Sequence, residues 1–414
     1  MQCSCWTIGI VCWALWIASV APCKAQDSSA EVLRQALLAQ GNREFEGNRI
    51  TLLPSAREKY DDMFRSIRAA RRYVHLEYFI FRNDSVGSAL LHLLHQKALE
   101  KVEVRLIVDA YGNWKTPHPL TSAQLDSIRG LGIKVELFDP IRFPWLQNLY
   151  HRDHRKIVVV DGQFAYTGGM NVADYYLHGK ERTGEWRDMQ VRLEGPVVDE
   201  FERIFVQIWE RTTGEQFDER EYSAQEDMED GGTVVTVVNR EPYKLSRQMR
   251  KAIVAALDAA RSEVHIVNPY PTSTRSVDRA MKRALRRGVR LKMMVSANMD
   301  NRITPEVVAV RMKKMMRQGA EVYYYQNGFH HSKTMTVDGE FCTVGSTNLD
   351  GRSLRYDYEV NVFIFSPETT KELDTIFARD LSRCQLLTPQ NFKQRFSLKQ
   401  RIVGRIFHPL RGLL

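Results

Sequence analysis

Past residue 24 this chain of 414 residues has only two cysteines, Cys342 and Cys384, so no disulfide framework braces its body. It has no Cys-x-x-Cys pair and no His-Glu-x-x-His motif. The sequence therefore carries no metal-site signature, and neither a metal nor a cofactor is expected. Charge is missing from the start: no charged side chain precedes Lys24, and Trp6 to Ala21 is almost wholly apolar. Such a segment suits a membrane, as a cleaved signal peptide or as an N-terminal anchor, and residues 1–25 are assigned to it. Either reading places the chain at a cell membrane with its catalytic body on the extracytoplasmic side.

Acid is scarcer than base, with 50 Asp and Glu against 59 Lys and Arg, a balance of +9 that favours an anionic partner. Acid concentrates instead between Glu215 and Asp230, which hold eight carboxylates before Gly231-Gly232. That composition reads as a solvated linker over 214–232 and separates a first lobe at 26–213 from a second at 233–390. The tail, 391–414, has six basic residues and no acid, with Leu398, Ile402, Ile406 and Leu410 every fourth residue. It reads as a basic amphipathic helix, suited to an anionic membrane surface or to packing on its own domain.

The chain repeats itself. Tyr73 to Ile80, Gly87 to Leu99 and Val102 to Val108 read as strand, helix, strand, and Glu263 to Val267, Ser276 to Arg287 and Val289 to Val295 answer them. A further pair follows, Gly132 to Phe138 and Gly319 to Tyr325. The fold class expected is α/β, two similar lobes each with a parallel or mixed sheet flanked by helices.

The chemistry lies in a second layer of the repeat. His154-x-Lys156-x4-Asp161 followed by Gly168-Gly169-Met170-Asn171 recurs as His331-x-Lys333-x4-Asp338 followed by Gly345-Ser346-Thr347-Asn348, at identical internal spacing. His151 and His330 lack the lysine and the aspartate and are set aside. On a strand, residues two apart share a face, so each histidine projects with its lysine toward one pocket. Asp161-Gly162 and Asp338-Gly339 fit tight hairpin turns, which favours a structural over a catalytic aspartate at positions that still belong to the motif. Gly169 and Ser346 let backbone approach an anion, and Lys156, Lys333, Asn171 and Asn348 supply donors for a phosphate.

Two imidazoles facing one phosphorus need no metal: one attacks, while the other protonates the leaving oxygen and later deprotonates the incoming alcohol. Each needs a carboxylate behind its ring. Asp188 and Glu359, downstream of His154 and His331 respectively, are the candidates.

These residues resemble the phospholipase D superfamily. The longer stretches His75 to Arg82, Arg152 to Val159, Trp186-Arg187-Asp188, Leu193 to Pro196, Tyr325 to Phe329 and Asn348 to Ser353 are similar to the bacterial cardiolipin synthases within it. The resemblance implies one active site at the lobe interface. It implies that a phosphatidyl group moves between two phosphatidylglycerol molecules, giving cardiolipin and glycerol through a phosphohistidine. His154 is then the nucleophile, His331 the acid and base, and Asp188 and Glu359 the orienting carboxylates. Anionic phospholipid is the expected partner and nucleic acid is not; the oligomeric state stays open. The alternative is a hydrolytic phosphodiesterase acting on phospholipid or, further off, nucleic acid, because water can release the same intermediate. Asp357 departs from the asparagine expected of the family, and Pro271 from its aromatic residue.

Overall fold

The computed structural model describes residues 27–140, 150–218, 222, 232–300 and 304–410. The N-terminal segment read as membrane-directed and most of the stretch read as an acidic linker lie outside them. Among the described residues no helix is long and apolar enough to cross a membrane.

The first half contributes strands β1 (Glu44–Leu53), β2 (Tyr73–Tyr78), β3 (Glu103–Asp109), β4 (Lys134–Phe138), β5 (Lys156–Val160), β6 (Phe164–Gly168), β7 (Glu185–Arg187) and β8 (Gln190–Glu194). The second contributes β9 (Thr233–Arg240), β10 (Glu263–Val267), β11 (Arg290–Ser296), β12 (Glu321–Tyr325), β13 (Gly328–His330), β14 (Thr334–Val337), β15 (Phe341–Gly345), β16 (Glu359–Phe365) and β17 (Cys384–Leu386). The paired segments read from the repeat fall on β2 and β10, β3 and β11, and β4 and β12. In both halves these three strands run parallel, and the rest of the sheet is antiparallel.

The two lobes are not separate sheets. Fifteen strands form one sheet in the order β17-β12-β11-β10-β14-β15-β16-β9-β1-β8-β6-β5-β2-β3-β4. The seam is β9 on β1, antiparallel, about which the two halves repeat the same order in opposite senses. Asn48 fastens it: its Nδ2 donates to the Phe45 and Thr233 carbonyls while its Oδ1 accepts from the Val197 amide.

Alternation along the motif strand explains its all-apolar run. Val158 and Val160 enter the core on one sheet face, and Ile157 and Val159 enter the core on the other, beneath helix Val197–Thr213. A strand covered on both faces reads as continuously hydrophobic, and each fully buried side chain of this size stabilises by roughly 1.5–3 kcal/mol. The same parity carries Lys156 onto the Val158 face and Lys333 onto the face of Met335 and Val337.

The tail is not one helix. Helices Pro389–Arg395 and Leu398–Phe407 are separated at Phe396-Ser397, where Ser397 caps the second through a reciprocal bond with Gln400. This second helix packs on Thr304–Arg317 through Gly404. A Cβ at 404 would fall 2.2 Å from the Glu306 carbonyl.

Candidate active site

The motif aspartates do not reach the site. Asp161 and Asp338 sit at hairpin tips with φ of 55° each, followed by Gly162 and Gly339 at 69° and 71°. The Asp161 carboxylate accepts from the amides of Arg71, Arg72 and Tyr73, at 2.6–2.9 Å, and Asp338 accepts from Arg261, Ser262 and Glu263, each at 2.8 Å. In the β2–β5 register Val74 faces Val160 while Tyr78 faces Lys156, so Asp161 lies at the far end of the strand from the motif lysine. Both aspartates, carried as motif candidates, are thereby structural: they tie the turn to the chain entering β2 and β10.

The histidines and carboxylates are wired across the lobes. His154 Nδ1 is 3.0 Å from Glu359 Oε1, and His331 Nδ1 is 2.7 Å from Asp188 Oδ2. The sequence order paired Asp188 with His154 and Glu359 with His331, and the structure exchanges them. The backbone shows why. The His154 amide donates to the Tyr358 carbonyl at 3.0 Å, and the His331 amide donates to the Arg187 carbonyl at 2.6 Å. Each carbonyl belongs to the residue immediately before the carboxylate that holds the ring. Strand β13 also pairs with β7 in parallel, and Asp153 bridges Tyr358, so backbone bonds between lobes set both rings.

The lysines stand inside the same cluster. Lys156 Nζ donates to the His154 carbonyl and Lys333 Nζ to that of His331, and Lys333 Nζ also lies 2.9 Å from His331 Nδ1. Burial pushes Lys156 down to about 7 and Lys333 down to about 8, against the attraction of Glu359 and Asp188. Burial likewise pushes His331 down to about 4, with the Lys333 charge adding to it. His154 is driven well below its ordinary value by burial, then by Lys156, and it feels both Lys333 and His331 of the other half. The carboxylates diverge. Burial pushes Glu359 up to about 7, whereas Asp188, equally buried, is held below the ordinary carboxylate range by Lys333 and His331.

The small and polar residues after each motif, expected to cradle a phosphate, also have partners within the protein. Gly169 donates its amide to the Met189 carbonyl, and a Cβ there would lie 2.1 Å from Asp188 Oδ1, so glycine makes room for the carboxylate. Ser346 donates its hydroxyl to Glu359 and accepts from the Val360 amide, bracing that carboxylate. Asn171 accepts from the Ile80 amide and donates to Tyr176, holding its own loop. Asn348 differs: its Oδ1 is buried and has no partner.

Other residues complete the walls: each lies in a stretch that carried the family resemblance, though none was assigned a role from it. The ring centroid of Phe79 lies 5.0 Å from that of His154, in a T-shaped arrangement, and those of Phe329 and Trp186 lie 5.4 and 5.3 Å from that of His331. Asp350, buried close by, is pushed up to about 7. The resemblance marked their stretches, but an aromatic or aspartate in a core run does not by itself disclose which one lines the site. Asp357, the departure noted above, accepts from Arg352 Nε and from the Arg152 amide, so it braces the two lobes' loops. The two histidines set aside serve packing: His330 binds Asp380, and His151 the Tyr356 carbonyl.

A doubled α/β fold whose two histidine-lysine pairs meet under exchanged carboxylates defines the phospholipase D class of phosphodiester-processing proteins. The family model described as cardiolipin synthase, phospholipase D-like domain, matches residues 63–209 and again 253–381, and the chain belongs to that family. A probable cardiolipin synthase of Bacillus subtilis is 32% identical over 348 residues, 84% of this chain and 68% of that protein. The cardiolipin synthase of Geobacillus thermodenitrificans is 31% identical over 365 residues, 88% of this chain and 72% of its own. Among solved structures, a phosphatidylserine synthase of Haemophilus influenzae superposes with a TM-score of 0.73 at 14% identity, covering 92% of this chain and all of its own, which shows the shared fold.

Proposed function

We propose that the chain is a phosphatidyltransferase that makes cardiolipin and glycerol from two molecules of phosphatidylglycerol, working at a membrane surface with its catalytic body on the extracytoplasmic side. The observation that carries the mechanism is the exchanged pair of carboxylate–histidine bonds. Holding each ring through Nδ1 leaves Nε2 as the atom for chemistry and fixes its tautomer.

The two pairs are electrically unlike, which supports one order of events. Burial and then Lys156 keep His154 an uncharged imidazole whose Nε2 attacks phosphorus, beside a Glu359 that burial raises to about 7. Asp188, held ionised, favours an imidazolium at His331, so that ring gives its proton to the departing glycerol oxygen. In the free site His331 sits at about 4. A bound phosphodiester anion opposes Lys156 and Lys333 and raises the ring toward the protonated state the step needs.

The first step forms the Nε2–phosphorus bond and breaks the bond to glycerol. In the second, neutral His331 takes the proton of the free primary hydroxyl of another phosphatidylglycerol, whose oxygen displaces His154 and gives cardiolipin. Phe79, Trp186 and Phe329 crowd the rings and keep water from competing with the alcohol.

The test is direct. Purified protein given labelled phosphatidylglycerol in detergent should yield cardiolipin and glycerol in equal amounts. Phosphatidic acid as the sole lipid product would make the chain a hydrolase.

A further inference from the structure

Away from the catalytic centre, helix Leu398–Phe407 presents three faces. Gly404 is buried against Thr304–Arg317. Leu398, Ile402 and Ile406, one turn apart, are 65%, 46% and 64% exposed, an aliphatic stripe turned away from the protein. Between buried face and stripe stand Arg401 and Arg405. With Lys313, Lys314 and Arg317 of the neighbouring helix they line a cavity of about 260 Å³ floored by Phe392 and Phe396.

Among the described residues lining the cavity there is no carboxylate. Lys313 lies 4.6 Å from the Phe392 ring and feels Arg317, Arg405, Arg401 and Lys393 together, which with burial lowers its affinity for its proton. Arg401 Nε is buried and has no partner among the described residues. Like charges gathered without an acid repel one another, and a buried guanidinium nitrogen without an acceptor costs free energy, so the arrangement calls for an anion. The adjacent stripe says which kind: an anion carried on hydrocarbon.

We propose that this cavity is a second lipid site, which takes the phosphate of an anionic phospholipid while Leu398, Ile402 and Ile406 enter the acyl region of the same leaflet. It contains none of the catalytic residues and deepens the reading of a membrane-surface enzyme by naming the surface that docks. Its occupant is a phosphodiester headgroup in a bilayer. Free phosphate satisfies the arginines but leaves the stripe in water.

The full chain, reconstituted into vesicles of phosphatidylcholine with or without phosphatidylglycerol, should show slowed amide hydrogen exchange across 398–407 only where phosphatidylglycerol is present. The double substitution Arg401→Ala, Arg405→Ala should weaken that protection about 25-fold, roughly fivefold for each cation lost at an anionic surface. Arg401→Lys, Arg405→Lys should retain most of it. All three proteins should turn over substrate equally in detergent micelles, which separates this site from the catalytic reading. Equal protection on phosphatidylcholine alone, or protection that survives loss of both arginines, would overturn the proposal. Protection produced by inorganic phosphate without vesicles would overturn the lipid assignment.

Discussion

Replacing Asp188 by asparagine should cripple the histidine of the opposite lobe and spare its own. The carboxylate stands 2.7 Å from His331 Nδ1 and is held ionised, so the change removes a charge-assisted bond and the counter-charge of the imidazolium. Removal of an orienting carboxylate of this kind costs on the order of 10⁴ in kcat where the imidazole must transfer a proton. Phosphatidylglycerol has a poor alkoxide leaving group and should show that full loss. A nitrophenyl ester of phosphatidic acid departs as nitrophenolate without needing a proton, so the general-acid part, about 10²–10⁴, drops out of the first step.

Rapid mixing of Asp188→Asn with that ester should therefore give a stoichiometric burst of nitrophenolate within about tenfold of the unaltered rate, followed by slow turnover. His331→Ala should behave alike. Glu359→Ala, which strips the support of His154, should lose the burst as His154→Ala does. The opposite pattern, burst lost in Asp188→Asn and kept in Glu359→Ala, would put Asp188 behind the nucleophile: it refutes the exchanged wiring if His154→Ala still loses the burst, and the order of the two histidines if His331→Ala loses it instead.

Two further outcomes are open to measurement. Lys156 and Lys333, lowered by burial to about 7 and 8, carry charge below those values and lose it above them, so kcat/KM for phosphatidylglycerol should fall as pH rises through 7 to 8. Lys333→Arg should move the upper part of that fall to higher pH, and an unmoved profile would count against the lysines as phosphate ligands. Asp338→Ala leaves the amides of Arg261, Ser262 and Glu263 without their acceptor and puts alanine at a φ of 55°, so urea unfolding should lose about 2–4 kcal/mol while the folded fraction keeps its activity. A stable but inactive variant would return Asp338 to the catalytic group.

The doubled motif was legible because strand parity and turn chemistry are local. Lys156 opens a strand whose side chains alternate, Asp161-Gly162 makes a hairpin, and the paired segments marked strands β2 to β4 and β10 to β12. The carboxylates were legible as a pair but not as partners. Asp188 and Glu359 occupy corresponding places in two similar halves, and which ring each reaches depends on bonds between lobes, such as β7 on β13, that leave no periodic trace. The bracing contacts of Ser346 and Asn171 were hidden for a related reason: a small polar side chain beside a catalytic loop looks the same whether it meets phosphate or braces its neighbour. The continuous sheet was likewise hidden, since the β1–β9 seam joins strands that belong to no repeated strand–helix–strand unit. The tail's fourfold spacing gave the stripe, but Gly404, not the leucines and isoleucines, makes the packing face.

Duplication usually suggests a spare. Here the exchange of carboxylates removes that option: a severed first half would keep His154 without Glu359, and a severed second half His331 without Asp188. Neither portion holds a finished reaction group, so the two halves cannot work singly: each lends the other the carboxylate it lacks.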